Sequence, residues 1–154
     1  MASIGVGDRL PAFQATLQDG TAFDTAAEVG GAPLVFFFYP KDHTPICTQE
    51  ACGFRDAYEQ FTAAGARVVG VSSDSPEQHR AFIERHRLPF PIISDRGGAL
   101  RRLFGVPKTL GFLPGRVTYV VDREGIVRLV FNAQLVADDH VRRALEAVRE
   151  LAPS

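Results

Sequence analysis

The chain of 154 residues has only two cysteines and no excess of charge of either sign. Two cysteines are too few for the disulfide framework of a small secreted protein, so the sequence favours a reducing compartment. Lys and Arg total 17 against 18 Asp and Glu, which gives a formal net charge of −1. This balance provides no electrostatic reason to expect nucleic acid or an anionic membrane as a partner.

The sequence also lacks a long hydrophobic run. Its longest apolar stretch, residues 33–39, is far shorter than the ~20 residues that a membrane-spanning helix needs. The N-terminal segment MASIGVGDR carries neither a basic region nor a continuous apolar region, so no secretory signal is visible. We therefore expect a cytoplasmic protein with no membrane partner.

What is present is an alternation of strand-like and helix-like segments within the length of one domain. Hydrophobic residues make up 45% and charged residues 23%, close to the average of soluble globular proteins. The patterns predict hairpins over 12–23 and 116–131, strands at 34–39 and 67–72, and helices at 46–64, from Ser75 to the prolines at 89 and 91, at 99–104 and at 138–151. This order predicts a single α/β domain over residues 1–154, with helices covering the sheet.

The segment YPKDHTPICTQEAC, residues 39–52, follows the expected central strand and opens a helix. Open α/β sheets usually place their functional sites at this edge. If Thr44 is the N-cap and Pro45 the first helical residue, Cys47 lies in the first turn, facing unpaired backbone N–H groups and the positive end of the helix dipole. Both features favour the thiolate, which is the nucleophilic form of cysteine.

A second cysteine, Cys52, lies five positions after Cys47. In an ideal helix the two Cα atoms are roughly 8.7 Å apart, whereas a disulfide tolerates at most about 7 Å. Gly53 comes next, and a glycine inside a helix weakens it by roughly 0.5–1 kcal/mol relative to alanine. We infer that the first turns of this helix must unwind before the two thiols can join.

The residues PKDHTPIC at 40–47 resemble the Pro-x-x-x-Thr-x-x-Cys active-site motif of the peroxiredoxins. The Cys-x-x-x-x-Cys spacing that follows is similar to the bacterioferritin comigratory protein, or PrxQ, subfamily. Similarity continues in family order through residues 70–75, 88–95 and 113–122, so it covers nearly the whole chain. The resemblance implies a thioredoxin-like fold, a central mixed β-sheet flanked by helices, with an added N-terminal β-hairpin.

The same resemblance implies a thiol peroxidase that reduces hydrogen peroxide and organic hydroperoxides without metal, haem or flavin. Cys47 would be the peroxidatic cysteine, and Cys52 would resolve its sulfenic acid as an intramolecular disulfide. Thr44 would hydrogen-bond the peroxide and the thiolate, Arg116 would stabilise both, and Pro40 would shield the site from water. Thioredoxin would return the disulfide to the dithiol. Because resolution within one chain needs no second subunit, we expect a monomer.

Other interpretations of these residues stay open. Cys52 is also compatible with a plain core residue while an outside thiol resolves Cys47, and Arg116 with an ordinary surface ion pair. A zinc site from His43, the two cysteines and a distant histidine has poor ligand spacing. Glu50, one turn after Cys47, is expected to oppose thiolate formation by its charge.

Two other functions are compatible with a thioredoxin-like fold. One is a general disulfide oxidoreductase, although the Cys-x-x-Cys spacing of that class is absent. The other is a redox-switched interaction module, in which opening of the helix exposes a binding surface. A peroxidase turns over many equivalents of peroxide with reductant, whereas a sensor needs a single oxidation.

Overall fold

The computed structural model describes residues 4–106, 115–133 and 135–151. The strands are β1 Gln14–Leu17, β2 Ala22–Asp24, β3 Leu34–Phe38, β4 Arg67–Ser72, β5 Ile92–Ser94, β6 Val117–Val121 and β7 Val127–Asn132. The helices are α1 Thr25–Glu28, α2 Pro45–Asp56, α3 Tyr58–Ala63, α4 Pro76–His86, α5 Ala99–Phe104 and α6 Ala137–Leu151, with a short 3-10 helix at Arg96–Gly98. No helix within these described ranges is both long and apolar enough to cross a membrane.

The strands form one mixed sheet in the order β2-β1-β5-β4-β3-β6-β7. The central strand β3 runs parallel to β4 and antiparallel to β6, while β4 runs parallel to β5. The hairpin of β1 and β2 pairs antiparallel with β5 and so extends one side of the sheet. The predicted mixed sheet with an N-terminal hairpin is therefore confirmed.

Every residue of β3 is buried, because helices cover both faces of the sheet. Side chains alternate along a strand, and Val35 and Phe37 accordingly join the hydrophobic cluster under α2, α3, α4 and α6. Phe36 and Phe38 point the other way, into the cluster that α5 closes. A strand that is apolar on both faces belongs at the centre of a covered sheet, and this places the end of β3 inside the molecule.

The predicted helix over 46–64 is instead two helices, α2 and α3, separated at Ala57. Ala57 leaves the helical conformation with φ −93° and ψ 2°. Phe54 and Phe61, on either side of the break, still pack together, with ring centroids 5.6 Å apart. The apolar spacing therefore predicted the buried face correctly, but it carries no information about the continuity of the backbone.

Two short elements, α1 and β5, have no counterpart in the sequence predictions. Strand β5 has only three residues, too few to show a period, and it follows the prolines at 89 and 91. It nevertheless lies between β1 and β4 in the sheet. Most of the predicted loop over 105–115, with the family similarity at Leu113 and Pro114, falls on residues 107–114, outside the described residues.

Candidate active site

Cys47 lies in the first turn of α2, at the end of the loop that follows the central strand β3. Pro45 is the first helical residue, as predicted, because its ring already fixes a helical φ and the missing N–H has no partner to lose there. The side chain of Cys47 is only 1% exposed. The thiol therefore sits in a nearly dry environment at the positive end of the helix dipole.

Thr44 occupies the N-cap position of α2, but its side chain makes no capping hydrogen bond. Its carbonyl accepts the Thr48 N–H at 2.8 Å, and its hydroxyl donates to the Lys41 carbonyl, also at 2.8 Å. Thr44 is therefore the N-cap residue, as predicted, but it contributes its backbone carbonyl and not its side chain to the start of the helix. Because the hydroxyl proton is used inside the loop, the hydroxyl oxygen is the part of Thr44 left to accept a hydrogen bond.

Arg116 lies directly before β6, the antiparallel neighbour of β3, and this pairing brings it to Cys47 across 69 positions of sequence. Its Nη2 donates to Cys47 Sγ at 3.2 Å, and its Nη1 donates to Glu50 Oε1 at 2.6 Å. Burial alone lowers the pKa of Arg116, but Glu50 and Cys47 outweigh it and raise that pKa. With a side chain only 3% exposed, Arg116 is a buried cation at the thiol, and the surface ion-pair interpretation is wrong.

Glu50 is a site residue whose role the sequence did not reveal. Its carboxyl group is fully buried, and burial raises its pKa to about 7 while the charge of Arg116 acts to lower it. Oε1 is bonded to Arg116, whereas Oε2 has no hydrogen-bond partner among the described residues. Glu50 therefore faces Arg116, which separates its charge from Cys47 and offsets the opposition to the thiolate that was expected.

A buried histidine, His140 of α6, completes the polar network behind Glu50. Its Nδ1 lies 3.5 Å from Glu50 Oε2 and 2.8 Å from Thr118 Oγ1, and its Nε2 lies 2.7 Å from the Ala133 carbonyl. Because a carbonyl only accepts, Nε2 carries the proton and Nδ1 of the neutral ring accepts from Thr118. Burial lowers the pKa of His140 to about 4, so the ring is neutral near pH 7.

The loop that carries Pro40 is held by a second buried network. The Tyr39 hydroxyl donates to Asp42, whose other oxygen lies 2.6 Å from His79 Nδ1. The backbone N–H of Asp42 donates to Asp74 at 2.8 Å. These contacts anchor the chain between β3 and α2, with Pro40 half-buried at its start.

One cluster in the described ranges has a metal-like spacing, with Asp42, Asp74 and His79 offering ligand atoms within 4.8 Å of one another. Hydrogen bonds already occupy both carboxylates and His79 Nδ1, so the cluster is explained as a loop anchor. The zinc set considered from sequence, His43 with Cys47 and Cys52, forms no such group in the described part of the chain.

Cys52 is half-buried on the same helix as Cys47, and both thiols are free. Arg55, one turn later, interacts with Cys52 electrostatically and donates to the His86 carbonyl at 2.7 Å. The neighbouring Gly53 also serves packing, because a Cβ there would lie 3.0 Å from Val141 Cγ2 on α6. The glycine thus allows α2 and α6 to approach closely, in addition to weakening the helix.

Comparisons with known proteins match most of this chain. Residues 6–130 match the AhpC/TSA family. Chloroplastic peroxiredoxin Q of Populus jackii is 44% identical over 97% of this chain and 70% of its own length, and that of Sedum lineare is 44% identical over 97% and 81%. Peroxidoxin BcpB of Mycobacterium tuberculosis superposes with a TM-score of 0.89 at 34% identity, covering 97% of this chain and 99% of its own. Peroxiredoxin Q of Xanthomonas campestris gives 0.84 at 32% identity, covering 92% of each chain.

Proposed function

Since the chain belongs to the AhpC/TSA family and is a peroxiredoxin, a thiol-dependent peroxidase, we propose that Cys47 is the cysteine that reacts with the peroxide. The observation that carries this assignment is the 3.2 Å contact from Arg116 Nη2 to Cys47 Sγ in a buried site. A guanidinium is permanently charged, so it stabilises the thiolate and also the negative charge that develops on the peroxide oxygens.

In the first step the Cys47 thiolate attacks the terminal oxygen of a hydroperoxide. An S–O bond forms as the O–O bond breaks, which oxidises the sulfur to a sulfenic acid and reduces the other oxygen to an alkoxide or hydroxide. A proton converts this leaving group to an alcohol or to water. Arg116 provides the fixed positive charge for this step, and the Thr44 oxygen is positioned at the helix start to accept the hydroperoxide O–H.

In the second step the Cys52 thiolate attacks the sulfur of the sulfenic acid. An S–S bond forms while the S–O bond breaks, and the departing hydroxide takes up a proton to become water. Both cysteines belong to the intact helix α2 in the reduced protein, so this step requires its first turns to unwind. A thioredoxin-type dithiol then reduces the disulfide by exchange and restores the helix.

We further propose that residues 1–154 act as one domain, that the protein is a cytoplasmic monomer, and that thioredoxin itself is the reductant. The two cysteines on one helix support the monomer, because resolution then needs no second subunit. Sedimentation of the reduced and disulfide forms tests the monomer. The role of thioredoxin as the reductant is tested by following NADPH consumption in the presence of peroxide, thioredoxin and thioredoxin reductase.

The assignment of the two cysteines is tested by counting thiols before and after an equimolar addition of hydrogen peroxide. We expect the wild type to lose both thiols as one intramolecular disulfide and Cys47→Ser to keep its thiol. Cys52→Ser should form a sulfenic acid that dimedone traps at Cys47. Slow loss of thiols in the wild type, or equal loss in Cys47→Ser, would contradict the assignment.

A further inference from the structure

A second arginine, Arg101 of α5, joins the two backbone segments that lead into site residues. Its Nη2 donates to the Tyr39 carbonyl at 2.6 Å, and its Nη1 donates to the Gly115 carbonyl at 3.0 Å. Tyr39 directly precedes Pro40, and Gly115 directly precedes Arg116. Each carbonyl therefore belongs to the peptide group that sets the direction of a residue at the site.

The position of Arg101 is itself firmly fixed. Its Cζ lies 5.8 Å from the centre of the Phe38 ring, so the guanidinium rests against the last residue of the central strand. At the start of its own helix, the carboxylate of Asp95 accepts the backbone N–H groups of Leu100 and Arg101 at 2.9 and 3.1 Å. The Arg101 side chain therefore extends from the start of α5, which Asp95 stabilises, to the last residue of the central strand β3.

The charge of Arg101 reaches the reactive thiol. Burial lowers the pKa of this arginine, while the negative charges of Asp95 and Cys47 act to raise it. The guanidinium stays protonated near neutral pH, because arginine is effectively always charged in proteins. Arg116 contacts the thiol of Cys47 directly, and Arg101 is a second cation whose charge interacts with Cys47.

We propose that Arg101 is a positioning residue for the peroxidase reaction: it holds the Tyr39 and Gly115 carbonyls together, and its charge adds to that of Arg116 in stabilising the Cys47 thiolate. The inference rests on the proposed role of Cys47. An arginine suits this place because the two ends of its planar fork can bind two separate carbonyls, whereas a lysine ammonium is a single point. Gly115 lies two residues before the first residue of β6, so its carbonyl is outside that strand.

The test compares Arg101→Gln and Arg101→Lys with a matched control, Arg102→Gln, all in a Cys52→Ser background. Arg102 belongs to the same helix but is exposed and bonds the Gly97 carbonyl. Three quantities are measured: the second-order rate of sulfenic acid formation with hydrogen peroxide at pH 7, the pH profile of Cys47 alkylation by iodoacetamide, and the Tm.

We expect Arg101→Gln to lower the rate about tenfold, as for the loss of hydrogen bonds to a charged group, and to move the alkylation profile to higher pH. Arg101→Lys should keep the profile, because the charge remains, but still react more slowly, because one ammonium cannot hold both carbonyls. The control should match the parent in both quantities.

Other results would contradict either the inference about Arg101 or the proposed function. If the parent protein reacts rapidly but Arg101→Gln shows an unchanged rate and profile, the inference about Arg101 is overturned while the role of Cys47 stands. A slower rate with an unmoved profile and a lowered Tm would assign Arg101 a structural role and overturn the inference too. If Cys47 of the parent does not react with peroxide, the proposed function fails instead.

Discussion

Cys47 and Cys52 lie on one helix, only five positions apart, yet their surroundings differ in almost every respect. Cys47 is buried and receives a hydrogen bond from Arg116. Cys52 is half-buried and lies near Arg55, whose side chain is one-third exposed. Five residues turn a helix by roughly 500°, so the two thiols point in different directions. The comparison shows that rotation along one helix is enough to give two thiols different environments. Cys47 is buried beside a cation, whereas Cys52 is partly exposed.

The two sides of α2 are also held differently. On the Cys47 side, Glu50 forms an ion pair with Arg116 that is almost completely buried. On the Cys52 side, Arg55 makes one bond to the His86 carbonyl at the end of α4. Removing one partner of a buried ion pair strongly destabilises a protein, because the other charge is left buried without a partner. A partly exposed bond contributes little to stability. The helix is therefore held firmly on its catalytic side and loosely on the other.

The largest effect is expected from removing the cation on the Cys47 side. Arg116→Gln should slow the reaction of Cys47 with hydrogen peroxide by roughly 10²–10³-fold, the loss typical of a fixed donor to a developing anion. Arg142→Gln, which removes an exposed arginine of α6, serves as the control. Stopped-flow measurement with hydrogen peroxide gives both rates. Similar rates for the two variants would mean that the contact with Arg116 does not account for the difference in reactivity between Cys47 and Cys52.

A second prediction concerns the buried carboxyl group of Glu50, which lies on the Cys47 side of α2. Burial raises the pKa of Glu50 from 4.5 to about 7, so the folded state binds its proton more tightly than the unfolded state does. The stability from this proton is fully present below pH 4.5 and is lost as the pH rises through 7. Relative to Glu50→Gln, the free energy of unfolding of the wild type should fall by on the order of 3 kcal/mol between pH 4.5 and 8.

Urea denaturation of the reduced proteins measures this difference across the pH range. His140 has the opposite sign, because its lowered pKa of about 4 costs stability as the pH falls below 6.5. It is present in both proteins, and burial is the main cause of its lowered pKa, so most of its contribution is common to the two. Glu146→Gln, at an exposed position of α6, is the matched control and should show no such slope. A difference that does not depend on pH would show that Glu50 is ionised throughout.

Hydrogen exchange compares α2 with its neighbour α6 in the reduced and disulfide forms. Because the disulfide requires the first turns of α2 to unwind, amides in residues 47–52 should exchange at least about tenfold faster in the disulfide form. Amides of α6 that contact the sheet should keep their protection. Equal protection of α2 in both forms would contradict the unwinding.

The smallest effect is expected on the Cys52 side. Arg55→Gln removes the bond to the His86 carbonyl, and a bond of this kind contributes about 1 kcal/mol or less when partly exposed. Disulfide formation from the Cys47 sulfenic acid should therefore become about threefold faster, since α2 opens more easily. Arg80→Gln, which removes a comparable bond to the Gln18 carbonyl far from α2, is the control. A slower rate in Arg55→Gln would mean that the charge of Arg55 near Cys52 matters more for this step than the bond to the His86 carbonyl does.

Strong local signals explain which parts of the fold were predictable. The strand at 67–72 and the helix at 99–104 are confirmed with the bounds that the sequence predicts, since both end at glycine or polar residues next to apolar runs. Strand β5 depends on its neighbours β1 and β4, which no local pattern of three residues can encode. The break at Ala57 is likewise a property of packing, because alanine is the best helix former.

The candidate site was predictable where it depends on one segment and less so where segments meet. The start of α2 and the position of Cys47 follow from the Thr-Pro-Ile-Cys order, while the family resemblance alone pointed to Arg116. The spacing of Ala137, Ala144 and Val148 does place His140 on the buried face of α6. Nothing in that spacing identifies Glu50, on a different helix, as its neighbour.

The ion pair of Glu50 and Arg116 connects α2, the helix that the proposed disulfide unwinds, to the residue directly before β6. In the proposed mechanism, unwinding of the first turns of α2 separates this pair, and reduction of the disulfide restores it. While the pair holds, a newly formed sulfenic acid remains beside the cation that promotes attack on peroxide, and a second peroxide would carry it to sulfinic acid, which ordinary thiols do not reverse. On the proposed mechanism, the lifetime of this buried contact therefore sets how many turnovers the enzyme completes before a second peroxide inactivates it.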